Sequence, residues 1–188
     1  MKNPDQAAVA WLKRGNKSFD SKNFRSAVVC YSEALVLKPE DPFLLNSKGL
    51  ALKELGNHEE ALRFFDLALE RKPKLMGALV NRAAVLDCLE RREEALECAE
   101  KALALYPRNL HARSVRNDIM RNSLNDKGIG LLMGGKPVEA LVFFNKALDL
   151  DPKNENLLAN REGAFRRLLT KKRTTEVELS DPEKRIAK

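Results

Sequence analysis

The sequence lacks any apolar run close to the roughly 18 residues that a membrane-spanning helix requires. The segment from Met1 to Gln6 has one lysine and no apolar core, so we expect no secretory signal. The three cysteines, Cys30, Cys88 and Cys98, form no CxxC pair, and their number is odd. Unpaired thiols of this kind are typical of a reduced, cytosolic protein. We therefore expect a cytoplasmic protein without a transmembrane segment.

Residues that carry catalytic or metal chemistry are also scarce. Neither of the two histidines, His58 and His111, has a second histidine or cysteine at metal-ligand spacing. The stretch Gly134-Gly135-Lys136 lacks the GxxxxGK[ST] pattern of a phosphate loop, and no strand signal precedes it. Aromatic residues make up only 6% of the chain and leave little to stack on bases. The sequence thus predicts a protein that is not an enzyme and has no metal site and no cofactor. The scarcity of aromatic residues also weakens the hypothesis that the chain binds nucleic acid.

The chain does contain a regular period, which its prolines mark. Pro39, Pro73 and Pro107 follow one another at 34-residue intervals, and Pro152 comes after 45 residues, eleven more than the period. An alanine precedes each proline by five residues and another by twelve. A fixed period of this length indicates one helical unit that is repeated and stacked. Such a stack offers an extended surface rather than a closed pocket.

Each repeat divides into two amphipathic stretches, which we call helix A and helix B. Apolar residues recur near the 3.6-residue period in helix B, and breaks such as Gly56-Asn57 separate it from helix A. The prolines end helix B because they lack an amide hydrogen and clash with the preceding turn. This pattern predicts an all-α protein built from antiparallel helix pairs.

Eleven extra residues, Leu110 to Met120, precede the regularly spaced part of the fourth repeat. Eleven residues are about three α-helical turns, so they lengthen a helix without rotating its apolar face. Since no glycine or proline lies between Asn109 and Gly128, the sequence favours one long helix over 110–133. A separate short helix that interrupts the stack is the alternative.

The repeats resemble the tetratricopeptide repeat (TPR) family, whose helix A carries a glycine and whose helix B carries alanine, an aromatic residue, alanine and proline. The second repeat shows the motif residues Leu45, Gly49, Leu52, Ala61, Phe65, Ala68 and Pro73. The third departs from it, with Ala83 and Ala99 at the glycine and aromatic places. The resemblance implies a right-handed α-solenoid over residues 1–170, followed by a charged tail over 171–188. Its parts are repeats over 8–41, 42–75, 76–109 and 110–154, and a capping helix over 155–169.

In this family the A helices line a concave groove, where asparagines bind the main chain of an extended peptide. The resemblance assigns groove positions to one asparagine in each repeat and in the final half-repeat, and to apolar neighbours. These candidates are Leu12, Asn16, Phe19, Phe43, Asn46, Leu50, Val80, Asn81, Asn125, Ile129 and Asn160. A row of amides can both donate to and accept from a peptide backbone. The alternative, that these asparagines cap helices or face water, stays open.

One subgroup of the family clamps the C-terminal carboxylate of heat-shock chaperones with lysine, asparagine and arginine side chains. The five places of that clamp fall here on Leu12, Asn16, Ser47, Gly77 and Asn81, so only Asn16 matches. The resemblance therefore implies a peptide groove without the carboxylate clamp.

The net charge of +7 is concentrated in the second part of the chain, where residues 110–188 hold 16 basic and 11 acidic residues. The densest basic patch comprises Arg161, Arg166, Arg167, Lys171, Lys172 and Arg173. A basic end can attract nucleic acid, an acidic peptide or a phospholipid surface, but it can also be a solvated helix.

These observations favour a non-catalytic scaffold that binds a peptide segment or helix of a partner protein in its groove. Nucleic-acid or ribonucleoprotein binding through the basic C-terminal half is the alternative. We expect a monomer, with end-to-end self-association as the alternative.

Overall fold

The computed structural model describes residues 4–180, with side chains through residue 170. Within these residues the chain forms nine α-helices and no strand. The helices are α1 (Pro4–Asp20), α2 (Phe24–Leu37), α3 (Pro42–Glu54), α4 (His58–Arg71), α5 (Met76–Cys88), α6 (Arg92–Leu105), α7 (Leu110–Met133), α8 (Pro137–Leu150) and α9 (Glu155–Ser180). The all-α helical-repeat solenoid that the sequence predicts is confirmed.

Helices A and B of a repeat interlock where a glycine meets an aromatic ring. A Cβ atom on Gly49 of α3 would lie 2.7 Å from Cε1 of Phe65 on α4, which is closer than real Cβ contacts come. Gly15 meets Tyr31, and Gly128 meets Phe144, in the same way. A glycine is therefore required at this position, because the aromatic ring of helix B lies too close to helix A for a Cβ atom. In the third repeat, alanines replace both residues of this contact. Ala83 stands at the place of the glycine and Ala99 at the place of the aromatic residue, and both are buried.

The turn between helices A and B has the same backbone form in all four repeats. Gly56 and Gly135 adopt φ angles of +80° and +73°, in the left-handed region that glycine enters without strain. Lys22 and Glu90 occupy the same register position in the first and third repeats, each with a φ of 59°. The repeat geometry thus imposes a left-handed residue at this position even where glycine is absent.

Asparagine and aspartate side chains begin several helices. Oδ1 of Asp41 accepts hydrogen bonds from the backbone nitrogens of Phe43 (2.8 Å) and Leu44 (3.1 Å) at the start of α3. Oδ1 of Asn109 and of Asn154 does the same at the starts of α7 and α9. These caps satisfy amide groups that have no partner inside the helix.

The described residues fall into two compact units, with the boundary between Ile119 and Met120. The sequence, by contrast, predicts one domain over residues 1–170. The N-terminal unit holds α1 to α6 and the beginning of α7, and the C-terminal unit holds the rest of α7, α8 and α9. The boundary lies at the end of the eleven extra residues, and α7 is a single helix over the segment for which the sequence predicts one.

Helix α9 is longer than the sequence predicts. It continues to Ser180, so the prediction of a capping helix that ends at 169 and a tail from 171 is wrong for residues 171–180. The physical reason is that neither glycine nor proline interrupts the chain between Ala164 and Asp181. Residues 181–188 of the expected tail lie outside the described residues.

Candidate functional site

The candidate groove in the N-terminal unit is built where α3 and α5, the A helices of consecutive repeats, touch each other. Nδ2 of Asn81 on α5 donates a hydrogen bond to Oδ1 of Asn46 on α3 over 3.1 Å. The position that a Cβ of Gly77 would take lies 3.6 Å from Nδ2 of Asn46, an ordinary van der Waals distance. The two amides and the bare glycine backbone thus form one polar patch between the helices.

This amide pair keeps unused hydrogen-bonding capacity. An asparagine side chain has two donor hydrogens and an oxygen with two lone pairs, and the bond between Asn46 and Asn81 uses one donor and one acceptor. Both residues are half-buried, so water or a ligand reaches them. The patch can therefore donate to and accept from the main chain of a peptide that lies across α3 and α5.

The C-terminal unit contains an equivalent pair. Nδ2 of Asn160 on α9 donates to Oδ1 of Asn125 on α7 over 2.8 Å. Once the eleven extra residues are discounted, Asn125 and Asn160 occupy the same register positions as Asn46 and Asn81. The asparagine bridge between neighbouring A helices is thus a repeated feature of the fold.

Asn16 is engaged with helix B of its own repeat. Its Oδ1 accepts a hydrogen bond of 2.9 Å from Oη of Tyr31 on α2, while its side-chain nitrogen is not part of that bond. Burial, followed by the nearby charge of Asp20, raises the pKa of Tyr31 to about 12 from 10.0. Tyr31 therefore stays a neutral donor over the whole physiological pH range.

We expect the stability that the neutral Tyr31 phenol provides to fall at alkaline pH. The folded-state pKa lies above the unfolded value of 10.0, so this contribution is complete below pH 10 and is lost as the pH rises toward about 12. The unfolding free energies of wild type and Tyr31→Phe, measured at pH 8, 10 and 11, should converge or cross as the pH rises. A difference that stays constant with pH would contradict this account.

The apolar candidates are exposed to different degrees. Leu12, Phe19, Leu50 and Ile129 are half-buried and pack against core residues, so each presents only part of its side chain. Phe43 is 53% exposed, with Nζ of Lys72 at 4.5 Å from its ring centroid. These residues can offer apolar contact beside the amides.

The assignment of Val80 to the groove is wrong. Its side chain is only 1% exposed and packs with Leu79, Ala102 and Ala112 in the core. Val80 and Asn81 are adjacent, and about 100° of helix rotation separates them. Asn81 bonds Asn46 on the adjoining A helix, and Val80 therefore points into the core.

Some residues of the basic patch form hydrogen bonds within the C-terminal unit. Nε of Arg166 donates to Oε1 of Glu162 over 3.1 Å, and Nη1 of Arg167 donates to the carbonyl oxygen of Leu132 over 2.9 Å. Arg161 is half-buried. The side chains of Lys171, Lys172 and Arg173 lie outside the described residues. Of the three described arginines, Arg167 thus links α9 to α7, whereas Arg166 bonds within α9.

A row of basic residues runs along the A helices, and only Arg161 of this row is among the candidates that the sequence suggested. Its members occupy one position in each helix A and follow the same spacing as the prolines: Arg14, Lys48, Arg82, Lys127 and Arg161. Lys48 places Nζ 4.4 Å from the ring centroid of Phe64, and Arg82 bonds both Oδ1 of Asp66 and Sγ of Cys98 at 2.6 Å. The 34-residue spacing itself is the signal that could have revealed this row.

Among the described residues, no group of histidine, cysteine and acidic side chains has an arrangement that could hold a metal ion. No helix in this part of the chain combines the length and the apolar character needed to cross a bilayer.

Comparison with known proteins identifies the repeats. The tetratricopeptide repeat family pattern matches residues 44–75 and residues 77–109. The first TPR of Spaghetti (RPAP3), solved with the HSP90 peptide SRMEEVD, superimposes with a TM-score of 0.59 and 27% identity, over 61% of this chain and 90% of that one. Residues 44–75 and 77–109 are tetratricopeptide repeats. The resemblance inferred from its motif residues is therefore confirmed.

TPR relatives with curated names extend well beyond this chain. The protein STIP1 homolog of Dictyostelium discoideum is 32% identical over 60% of this chain and 20% of its own length. The Hsp70-Hsp90 organizing protein of Triticum aestivum is 26% identical over 86% of this chain and 32% of its own length. The chain thus spans between a fifth and a third of these relatives.

Proposed function

We propose that this TPR protein is a non-catalytic adaptor that binds an extended peptide segment of a partner protein across its A helices. The observation that carries the proposal is the amide pair Asn46–Asn81, which bridges α3 and α5 and recurs as Asn125–Asn160. Each pair keeps donors and acceptors for a peptide main chain. The solved TPR with an HSP90 peptide supports the same use of the fold.

The amides contact backbone groups, which every peptide shares, so selectivity comes from the apolar residues beside them. Phe43 is the most exposed of these, and Leu50 adds a partly exposed side chain on the same helix. We propose that the bound segment places apolar side chains against these residues. The free thiols of Cys30, Cys88 and Cys98 favour a reducing compartment, so we place this binding in the cytoplasm.

Affinity capture tests the proposal. Wild-type chain should capture a partner that the variant Asn46→Ala/Asn81→Ala loses, while the control Asn57→Ala/Asn156→Ala, which changes two exposed asparagines elsewhere, keeps it. Loss of the Asn–Asn bond should cost only about 0.5–1.5 kcal/mol of stability, so the variant stays folded and circular dichroism can verify this. Equal capture by all three proteins would contradict the proposal.

The same experiment decides the alternative of nucleic-acid binding. Contacts to phosphates weaken steeply with salt because bound counterions are released on association. If captured material disappears after nuclease treatment or in high salt, and is unaffected by the asparagine changes, the basic C-terminal half carries the function instead.

We further predict that the SRMEEVD peptide does not bind this chain as it binds the solved TPR. Of the five carboxylate-clamp places, only Asn16 matches, and Leu12 and Gly77 stand where the resemblance expects lysines. In fluorescence anisotropy we expect a dissociation constant weaker than about 1 mM for wild type. The variant Leu12→Lys/Gly77→Lys should improve it by about tenfold or more, since it restores two charge-assisted contacts.

The control is the same peptide with a C-terminal amide. Tight binding by wild type that the amide abolishes would show that a carboxylate clamp exists in this chain and would contradict the prediction.

A further inference from the structure

One face of α9 is exposed although the repeat register makes it a packing face. Leu158 and Phe165 stand at the places that Leu45 and Leu52 take in α3. Leu158 is half-buried, because part of its side chain packs against the cluster of Ala147, Leu148 and Leu157. Leu52 is 3% exposed because it packs against Ala61 and Phe65 of α4, its own helix B. Phe165 is 43% exposed, and Leu169, one turn further along the same face, is 60% exposed.

The described residues provide no helix B that covers this face. Helix α9 continues without a turn to Ser180, so it does not fold back on itself. In the third repeat the equivalent leucines, Leu79 and Leu86, are buried, and Leu86 packs with Ala95 and Ala99 of α6. The register therefore indicates that a helix fits against Leu158, Phe165 and Leu169.

The residue at the centre of this face selects the kind of helix. Glu162 stands where the other A helices have Gly49 or Ala83. Because a single Cβ on Gly49 would already come within 2.7 Å of Phe65, a helix with an aromatic ring at that contact does not fit over a glutamate. A helix with a small residue there, such as Ala99 in α6, leaves the room that Glu162 needs.

Charge specifies the flanks of the covering helix. Arg161 belongs to the basic row, in which Arg82 lies between two B helices and bonds Asp66 of the preceding one and Cys98 of its own, each at 2.6 Å. At the place of Asp66, α8 has Asn145, so α8 supplies no carboxylate for Arg161 at that register. Residues 155–173 contain six basic and two acidic residues, and one of the acids, Glu162, is bonded to Arg166.

We propose that the face of α9 formed by Leu158, Phe165 and Leu169 binds an amphipathic helix of a partner protein, with acidic flanks and a small residue at its centre. A second copy of this chain is a poorer occupant, because its α9 carries the same basic excess and like charges repel. This binding site is separate from the asparagine groove.

A synthetic peptide with the sequence of α6, residues 92–105, with Cys98→Ser and blocked ends, is a suitable probe. It carries Glu93, Glu94, Glu97 and Glu100 and has Ala99 at the small position, while its own site in the chain is filled by α6. A second peptide has the same four glutamates changed to lysine. The full chain is titrated with each labelled peptide and with vesicles of phosphatidylserine and phosphatidylcholine.

We expect the acidic peptide to bind wild type at least about tenfold more tightly than the lysine peptide. Phe165→Glu should weaken it by about tenfold or more, since it places a charge at the centre of the apolar contact. Val29→Glu, which changes an apolar residue on α2 that is 59% exposed, and Asn46→Ala/Asn81→Ala should bind like wild type. Failure of the groove proposal would thus leave this result unchanged.

Any of the following results would overturn the proposal. The first is peptide binding that Phe165→Glu does not weaken, or no binding by wild type. The second is vesicle binding that Phe165→Glu abolishes in the absence of peptide binding, which would assign the face to a membrane surface. The third is a wild-type dimer in analytical ultracentrifugation that Phe165→Glu dissociates, which would assign the face to a second copy.

Discussion

Replacement of Phe65 by alanine is expected to destabilise the N-terminal unit by about 3–5 kcal/mol, the range typical of a buried phenylalanine. Phe65 is 0% exposed and its ring lies directly against Gly49, so α3 and α4 cannot close the space without moving apart. The same side chain packs with Leu52 of α3 and Leu86 of α5 in one cluster. Removal of the ring therefore weakens the packing of two consecutive repeats.

Urea unfolding followed by helical circular dichroism measures this effect. Phe43→Ala is the control, because that ring is 53% exposed and its removal should cost less than about 1 kcal/mol. A loss for Phe65→Ala as small as that of the control would mean that the helix pair does not depend on the ring.

The second large expected effect is that Gly49→Ala lowers the free energy of unfolding in the wild type but raises it in the Phe65→Ala variant. In wild type the new Cβ would lie 2.7 Å from the Phe65 ring, and overpacking of this kind costs about 1–3 kcal/mol. That cost exceeds the roughly 1 kcal/mol that alanine contributes over glycine within a helix. We therefore expect Gly49→Ala to destabilise the wild type.

In the Phe65→Ala background the clash is absent and the same change should stabilise the chain, because an alanine at each of the two places would reproduce the pair Ala83–Ala99 of the third repeat. The interaction energy of this double-mutant cycle should be about 1–3 kcal/mol. Gly163→Ala is the matched control, since a Cβ there meets nothing within 4 Å and should stabilise α9 in either background. Additive effects of Gly49→Ala and Phe65→Ala would show that the two residues do not depend on each other, which would contradict the packing described for them.

The spacing of prolines and alanines was sufficient to predict the helices, because the effect of these residues on helix formation depends mainly on their neighbours in the sequence. Pro39 and Pro73 end their helices wherever they occur, and the 34-residue period places every helix pair. The length of α7 followed from eleven residues without glycine or proline. The left-handed turn residues Lys22 and Glu90 could also be inferred, since Gly56 and Gly135 mark the same position.

The candidate site was harder to predict, because it depends on which way adjacent side chains point. Asn46 and Asn81 were both predicted to lie in the groove, but their hydrogen bond depends on how closely α3 approaches α5, which no local pattern encodes. Val80 was misplaced because one residue step moves a side chain from the inner face to the core. The exposure of Phe165 could not be seen in its sequence position, which resembles the buried Leu52.

The side-chain amide signals of asparagine in a ¹⁵N nuclear magnetic resonance spectrum test the central claim most directly. On addition of a partner peptide identified by capture, the NH₂ signals of Asn46 and Asn81 should shift while those of the exposed Asn57 and Asn156 stay in place. Binding that leaves the Asn46 and Asn81 signals unchanged would contradict recognition by the asparagine groove.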